Sequence, residues 1–454
     1  MSYSEISCQI CAVSFNIARF RTKHEPPEAA WGYSYDVYSS GDTAARLCSL
    51  NPEQSRCENI YDGQPELVAL HLPGRWCTHE GGFNGWKIGA EEMQGMRYPR
   101  YIILKPTNQN IDSEDTEEQV DYERASDFFI TSQTTEVPDE FEPGALAKVR
   151  FGIDYFFPQN YSVLEHTDEF PVGVPVHDAC WKIFERVSKS MLGEVDLQGF
   201  MALWHRQACG TCGFGGIDQD PMIKECKDQS WVHLPGTEYL GANPHNIPGL
   251  MLHLHDFYMT EPVGESVFRE VSSDRENKTD PFRLLPEELK TMIRSDLAST
   301  DIASLRSVSR SFRILPKKLF LQLIEKELPW FWEFEELEAF MVKVREDQYR
   351  MFVNPEQKSH PFNWYVLYKQ LCLAKGKVLG LRNRVRIWNV AEEIAGRIQQ
   401  LRDGVSEGED LTLLPTEKEK EAGLEQCGYS CLKCDSKLRP LRMSSVEYFP
   451  ELDF

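Results

Sequence analysis

The stretch from Asp280 to Leu328, DPFRLLPEELKTMIRSDLASTDIASLRSVSRSFRILPKKLFLQLIEKEL, constrains this chain more than any other. Pro286 sits where a first helical residue would, with Glu287 and Glu288 beside it. A missing N–H costs nothing at that position, and acids complement the positive start of a helix. Leu289, Met292, Ile293 and Leu297 then recur at helical spacing and give one apolar face. Ser299, Thr300 and Asp301 offer a cap for a second helix, whose apolar face is Ile302, Leu305, Val308 and Phe312. Pro316 restarts the chain into a third helix with Leu319, Phe320, Leu323 and Ile324 inward. Three such short helices bury too little surface to stand alone, so the unit is expected to lean on a partner or a neighbouring domain.

The series Leu285-Pro286-x-Glu288-Leu289, Ile293, Leu297, Asp301, Leu305-Arg306-x-Val308-Ser309-Arg310-x-Phe312 resembles an F-box. The resemblance covers about a tenth of the chain and is a spread-out hydrophobic pattern, not a catalytic signature. It implies docking on the Skp adaptor of a cullin-based ubiquitin ligase through Leu285, Pro286, Leu289, Ile293, Leu297, Leu305, Val308 and Phe312. The motif is central in the chain, so a client protein could be held on either side of it.

The 454 residues leave room for two or three domains. Bases number 49 and acids 71, so 49 − 71 = −22, a charge that repels a phosphate backbone; no nucleic-acid partner is expected. Arg382, Arg384 and Arg386 alternate in GLRNRVRIW and read as a solvated face. No run approaches the roughly 18 apolar residues of a membrane span, and no membrane association is expected. The start, MSYSEISCQIC, has no basic segment leading into an apolar run, which argues against a secretory leader. The 13 cysteines fall largely in close pairs. In the reducing cytoplasm or nucleus, the expected setting, such pairs argue for metal or free thiols over disulfides.

Cys8-Gln9-Ile10-Cys11 is a zinc knuckle, whose tight turn aims two thiolates at one ion. Structural zinc wants four ligands, and His177-Asp178-Ala179-Cys180 is the favoured source of the other two. There an extended apolar run, PVGVPV, meets a helix pattern of Trp181, Phe184 and Val187. A ligand pair on the first helical turn, facing a distant knuckle, is a treble-clef-like arrangement, and the helix start favours thiolate. Asp178 would accept from the second nitrogen of the histidine. Cys77 and His79, in WCTHEGGFNGW, are alternates. Cys209 and Cys212 with Cys226 and His233 form a loosely spaced second set, while Cys48 and Cys57 have no partner by spacing. The early CxxC, the run from Cys77 to Trp86 ahead of Glu91-Glu92-Met93, and HDACW together resemble the long region found ahead of the F-box in a group of filamentous-fungal proteins. That resemblance groups His177 and Cys180 with the first knuckle.

Residues 111–144 are acidic and rich in Ser and Thr, and read as a solvated, flexible insertion with Asp127 to Ile130 as a short anchored piece. Residues 265–279 are polar and read as a linker. Leu328 to Phe334 is an aromatic burst read as a packed joint, and Ile387, Val390, Ile394, Ile398 and Leu401 mark a long amphipathic helix. Beyond residue 402 the chain is charged, ending in a tail where Cys427, Cys431 and Cys434 carry ligand spacing without a fourth member. There is no GxxxxGK[ST], GxSxG or HExxH. His177 and Cys180 lie on one helical turn, which fits shared ligands better than a base and nucleophile, and no enzyme is expected.

The expected fold class is α+β. A mixed N-terminal region (1–110 and 145–264) pinned by zinc is followed by an all-α F-box unit (280–328), C-terminal helices (329–402) and a tail (403–454). The expected function is a non-catalytic adaptor linking a client to a Skp–cullin–F-box ligase. The alternative is a zinc-stabilised binding scaffold whose F-box-like helices pack internally.

Overall fold

The computed structural model describes residues 6–31, 56–60, 70–106, 119–134, 144–158, 171–207, 214, 217–227, 231–254, 280–334, 336–337 and 364–404. The linker, the cysteine tail, Cys48, Cys209 and Cys212 lie outside them. The elements in chain order are β1 (Arg19–Phe20), β2 (Glu58–Ile60), β3 (Leu70–Leu72), β4 (Phe83–Asn84), α1 (Ala90–Met93), β5 (Pro99–Leu104), α2 (Asp121–Arg124), β6 (Phe128–Ile130), β7 (Gly144–Arg150), β8 (Ile153–Pro158) and β9 (Val172–His177). Helices follow: α3 (Asp178–Leu192), α4 (Leu197–Gln207), α5 (Pro221–Cys226), α6 (Glu287–Asp296), α7 (Ser299–Val308), α8 (Lys317–Glu327), α9 (Trp364–Lys377) and α10 (Leu379–Gly404). The fold is α+β, as the sequence implies.

The described residues up to Ile247 and from Arg382 onward form one compact unit, and those from Pro248 to Leu381 a second. This departs from the expected order, in which all helices after residue 329 belong together. The reason lies in the alternating arginines: Arg382 is exposed, but Arg384 and Arg386 are not a solvated face. Arg384 is fully buried, donating to the carbonyls of Pro244 and His245. Arg386 donates to the Cys11 carbonyl, and the Arg382 guanidinium sits 3.5 Å over the Tyr239 ring. Buried Asn383 donates to the Ala242 carbonyl at 2.7 Å. Guanidinium and amide groups are sequestered here because backbone carbonyls satisfy them.

The first unit is built on a five-stranded mixed sheet in the order β6-β5-β9-β8-β7. Only β8 and β9 run parallel; the other neighbours are antiparallel. Tyr101, Ile103, Phe129, Phe151, Ile153 and Phe156 form its core cluster, each aromatic or branched side chain contributing on the order of 1.5–3 kcal/mol by burial. Gly173 of β9 is required by that packing, since a Cβ there would lie 3.0 Å from the Cβ of Tyr101.

The acidic segment is not wholly a solvated insertion. Residues 119–134 carry α2 and the buried strand β6, so the anchored piece is longer than Asp127 to Ile130. Its anchor is Glu123, buried and paired with Arg150 at 2.8 Å, and accepting the Ile130 amide at 2.9 Å. Average charge hides one acid that the core requires.

In the second unit, Ile302, Leu315, Leu319, Phe320 and Leu323 form the core, with Leu297, Trp364, Tyr365 and Tyr368 packed against it. Helix α6 starts at Glu287, one residue after Pro286. The cap of α7 comes from afar: Glu327 accepts the Ser299 amide at 2.6 Å and, through its other oxygen, the Tyr368 hydroxyl at 2.6 Å. Asp280 closes the start of the unit, accepting from the Phe282 amide, the Ser309 hydroxyl and both the amide and hydroxyl of Ser311. Trp330 and Phe331 are buried, in keeping with a packed joint.

Candidate functional site

Strand β9 runs directly into α3, and the junction presents His177 and Cys180 side by side. The Cys8–Cys11 turn is brought to them by backbone bonds. Pro175 has no N–H to offer, but its carbonyl accepts the Gln9 amide at 2.9 Å. Within the turn the Cys8 amide donates to the Val13 carbonyl and the Ala12 amide to the Cys8 carbonyl, while Ala12 takes the left-handed conformation at φ 59°. Further ties come from Trp204, whose indole N–H donates to Gln9 Oε1 at 3.0 Å, and from Arg386 on the Cys11 carbonyl at 3.0 Å. Phe15 covers the imidazole, its centroid 4.4 Å from that of His177.

The result is a fully buried cluster of Cys8, Cys11, His177 and Cys180 whose ligand atoms all lie within 4.8 Å of one another. His177 Nδ1 is 3.4 Å from Cys11 Sγ and 3.7 Å from Cys180 Sγ. Tetrahedral zinc, with sulfur at about 2.3 Å and nitrogen at about 2.0–2.1 Å, separates such neighbours by about 3.5 Å. The residues therefore fit a metal ion, with His177 offering Nδ1. The His177 amide also points at Cys8 Sγ, 3.3 Å away, as backbone donors do around thiolate.

The charges in the cluster point the same way. Burial opposes ionisation of Cys11, yet contacts from Cys180 and Cys8 and the charge of His177 hold its thiol well below the ordinary value. Burial and the neighbouring sulfurs push Cys180 well above. Burial alone would lower His177, but the sulfurs of Cys8 and Cys11 raise it to about 10. The sulfurs draw a proton onto His177, and a metal cation bound at Nδ1 would displace that proton.

Asp178 does not serve the histidine. It pairs with Arg100 at 2.9 Å and Lys182 at 2.6 Å, which draw it outward. The alternates Cys77 and His79 do not join this cluster. Cys77 gathers with Cys57, for which spacing alone gives no partner, and with His71, which no sequence motif singles out. Cys226 and His233 are not a ligand pair: Cys226 contacts the Thr237 hydroxyl, and His233 accepts the Ala18 amide at 2.8 Å and lies 3.0 Å from the Glu80 carbonyl.

The F-box-like residues divide into surface and interior. Pro286, Leu289 and Val308 are exposed; Leu285, Ile293, Leu297 and Leu305 are half-buried. Phe312 is internal, 1% exposed, edge-on to Phe282 and under the Arg294 guanidinium at 5.2 Å. It cannot serve as a direct contact without opening the unit, and Leu297 is turned toward the core. Beside Val308 at 81% and Leu289 at 45%, the exposed apolar set includes residues outside the motif-derived list: Leu284 at 89%, Met292 at 61% and Ile314. A helical face reads as apolar in sequence whether it faces core or solvent, which is why the exposure of Met292 was not legible; Leu284 precedes the helix and lies on no such face.

No helix among the described residues is long and apolar enough to cross a membrane. No family model matches the chain, and neither a curated protein nor a solved structure matches it.

Proposed function

We propose that the chain is a non-catalytic adaptor. Residues 280–328 dock on a Skp-type adaptor of a cullin-based ubiquitin ligase, other surfaces hold a client protein, and zinc on Cys8, Cys11, His177 and Cys180 pins the N-terminal unit. The observation that carries the reading is the exposure of Leu284, Leu289, Met292 and Val308 on a small helical unit whose own core is complete without them. Covering such side chains is worth on the order of 1.5–3 kcal/mol each before the costs of association. The mechanism is proximity: a tethered client presents its lysines at high effective concentration to the transferring enzyme. Three thiols and an imidazole suit zinc, and a compartment that keeps thiols reduced, cytoplasm or nucleus, suits the site.

The test is co-purification of the full chain with a Skp-type adaptor, comparing wild type with Leu289→Asp/Val308→Asp. Both positions are at the surface, so the variant is expected to fold. Binding by wild type and its loss in the variant support the reading. A folded wild type that does not bind overturns it and leaves a zinc-stabilised scaffold.

A further inference from the structure

The segment from Cys57 to His79 holds a second cluster that the adaptor function does not use. Cys57 immediately precedes β2, and His71 lies at the centre of β3, opposite Asn59 in the antiparallel pair. Cys77 follows in the tight loop that leads to β4, with its amide bonded to the Gly74 carbonyl at 3.0 Å. The ligand atoms of Cys57, His71 and Cys77 all lie within 4.8 Å of one another, and His71 Nε2 is 3.2 Å from Cys77 Sγ. Both sulfurs are met by backbone donors: the Gly74 amide at 3.4 Å from Cys57 Sγ and the His79 amide at 3.4 Å from Cys77 Sγ. Amides aimed at sulfur stabilise thiolate, the form that binds metal. His71 and Cys77 are buried, Cys57 half-buried, so the cluster lies just inside the surface.

His79 is a neighbour, not a ligand. Its Nδ1 accepts the Gly81 amide at 2.9 Å, so in the neutral ring the proton is on Nε2, which then has no lone pair to give. That Nε2 is buried without a hydrogen bond, and the ring lies 5.1 Å from that of His71. A buried N–H donor beside the cluster favours negative charge there, as thiolates supply.

We infer that Cys57, His71 and Cys77 are three protein ligands of a second zinc ion, independent of the first and of the adaptor function. Two soft thiolates and an imidazole select zinc over hard cations, which prefer oxygen. The ion would tie the β2–β3 hairpin to the loop that continues into β4, a connection the short strands alone secure weakly.

The test is metal content and cobalt spectroscopy on the full chain, reconstituted under reducing conditions and freed of loose metal. Cys57→Ser/Cys77→Ser is expected to lose one zinc per chain relative to wild type. Cys8→Ser/Cys11→Ser should lose a different one, so that the quadruple variant loses both. With cobalt, the thiolate charge-transfer band of the two sites together arises from five sulfurs, and Cys57→Ser/Cys77→Ser should remove about two-fifths of it. His71→Asn provides a milder variant, expected to lower occupancy of this site while leaving the first filled. Skp-adaptor binding should be unchanged in all of these, which separates failure here from failure of the adaptor reading. Zinc content of Cys57→Ser/Cys77→Ser equal to wild type would overturn the inference, as would a Cys57–Cys77 disulfide in the native protein.

Discussion

Glu123 is the residue whose loss should be felt most sharply for its modest appearance in an acidic segment. Both of its oxygens are engaged: Oε2 with Arg150 Nη2 at 2.8 Å, and Oε1 with Arg150 Nη1 at 3.1 Å and the Ile130 amide at 2.9 Å. Arg150 in turn donates to the Ile130 carbonyl at 2.8 Å and stacks over Phe129 and Phe151. Glu123→Ala would leave a buried guanidinium without its counter-ion, a change that costs about 3–5 kcal/mol. At about 1.4 kcal/mol per factor of ten, amide exchange across Phe128–Thr131 should accelerate by roughly a hundred- to several-thousandfold. Hydrogen exchange read by mass spectrometry reports this directly. Replacing both partners, Glu123→Leu/Arg150→Met, removes the stranded charge and should recover most of the loss. Arg124→Ala, which breaks only the exposed 3.3 Å pair with Asp121, should change exchange by less than about threefold. Acceleration below about tenfold in Glu123→Ala would refute the claim that this acid is a core element. The consequence extends to the metal cluster, because β6 pairs with β5 and β5 with β9, whose last residue is His177.

Stripping zinc with a strong chelator should loosen the β9–α3 junction, accelerating exchange at Ala179 to Trp181 by at least about tenfold, with restoration on adding zinc back. No change on metal removal would mean that packing alone holds the junction. Asp280 gives a pH dependence in the second unit. Slight burial opposes it, but the Ser311 amide, the Ser309 and Ser311 hydroxyls and the Phe282 amide hold its carboxyl at about 2, below the ordinary 3.8. Its contribution is therefore present above about pH 4 and lost as the pH falls toward about 2. Asp280→Asn should raise exchange at Ser311 at neutral pH, and the difference from wild type should shrink as the pH falls from about 4 toward about 2; a difference that keeps its neutral-pH size there would contradict the assignment.

Much of the first metal cluster was legible because each half is local. Cys8 and Cys11 share a turn, and His177 and Cys180 share a strand–helix junction, so spacing reported geometry. The second cluster was not legible, because Cys57, His71 and Cys77 are joined by hairpin pairing, and no periodicity links them. His79 resembled a ligand by spacing, yet the Gly81 amide fixes its tautomer against that role. The helices after Asp280 were readable from period and proline placement, but the solvent or core orientation of their apolar faces depends on tertiary packing. Phe312 and Leu297 turned inward, while Leu284 and Met292 stayed out. The burial of Arg384 and Arg386 was missed for a related reason: charge pattern says nothing of carbonyls supplied by residues 140 positions away in sequence, such as Pro244 for Arg384.

The most direct test of the central claim is hydrogen exchange of the full, zinc-loaded chain with and without a saturating Skp-type adaptor. The account predicts protection concentrated between Leu284 and Ile314, at the exposed apolar positions, with little change at Cys8, Cys11, His177 and Cys180. Absence of protection in that stretch, or protection confined to the zinc-bearing unit, would contradict it.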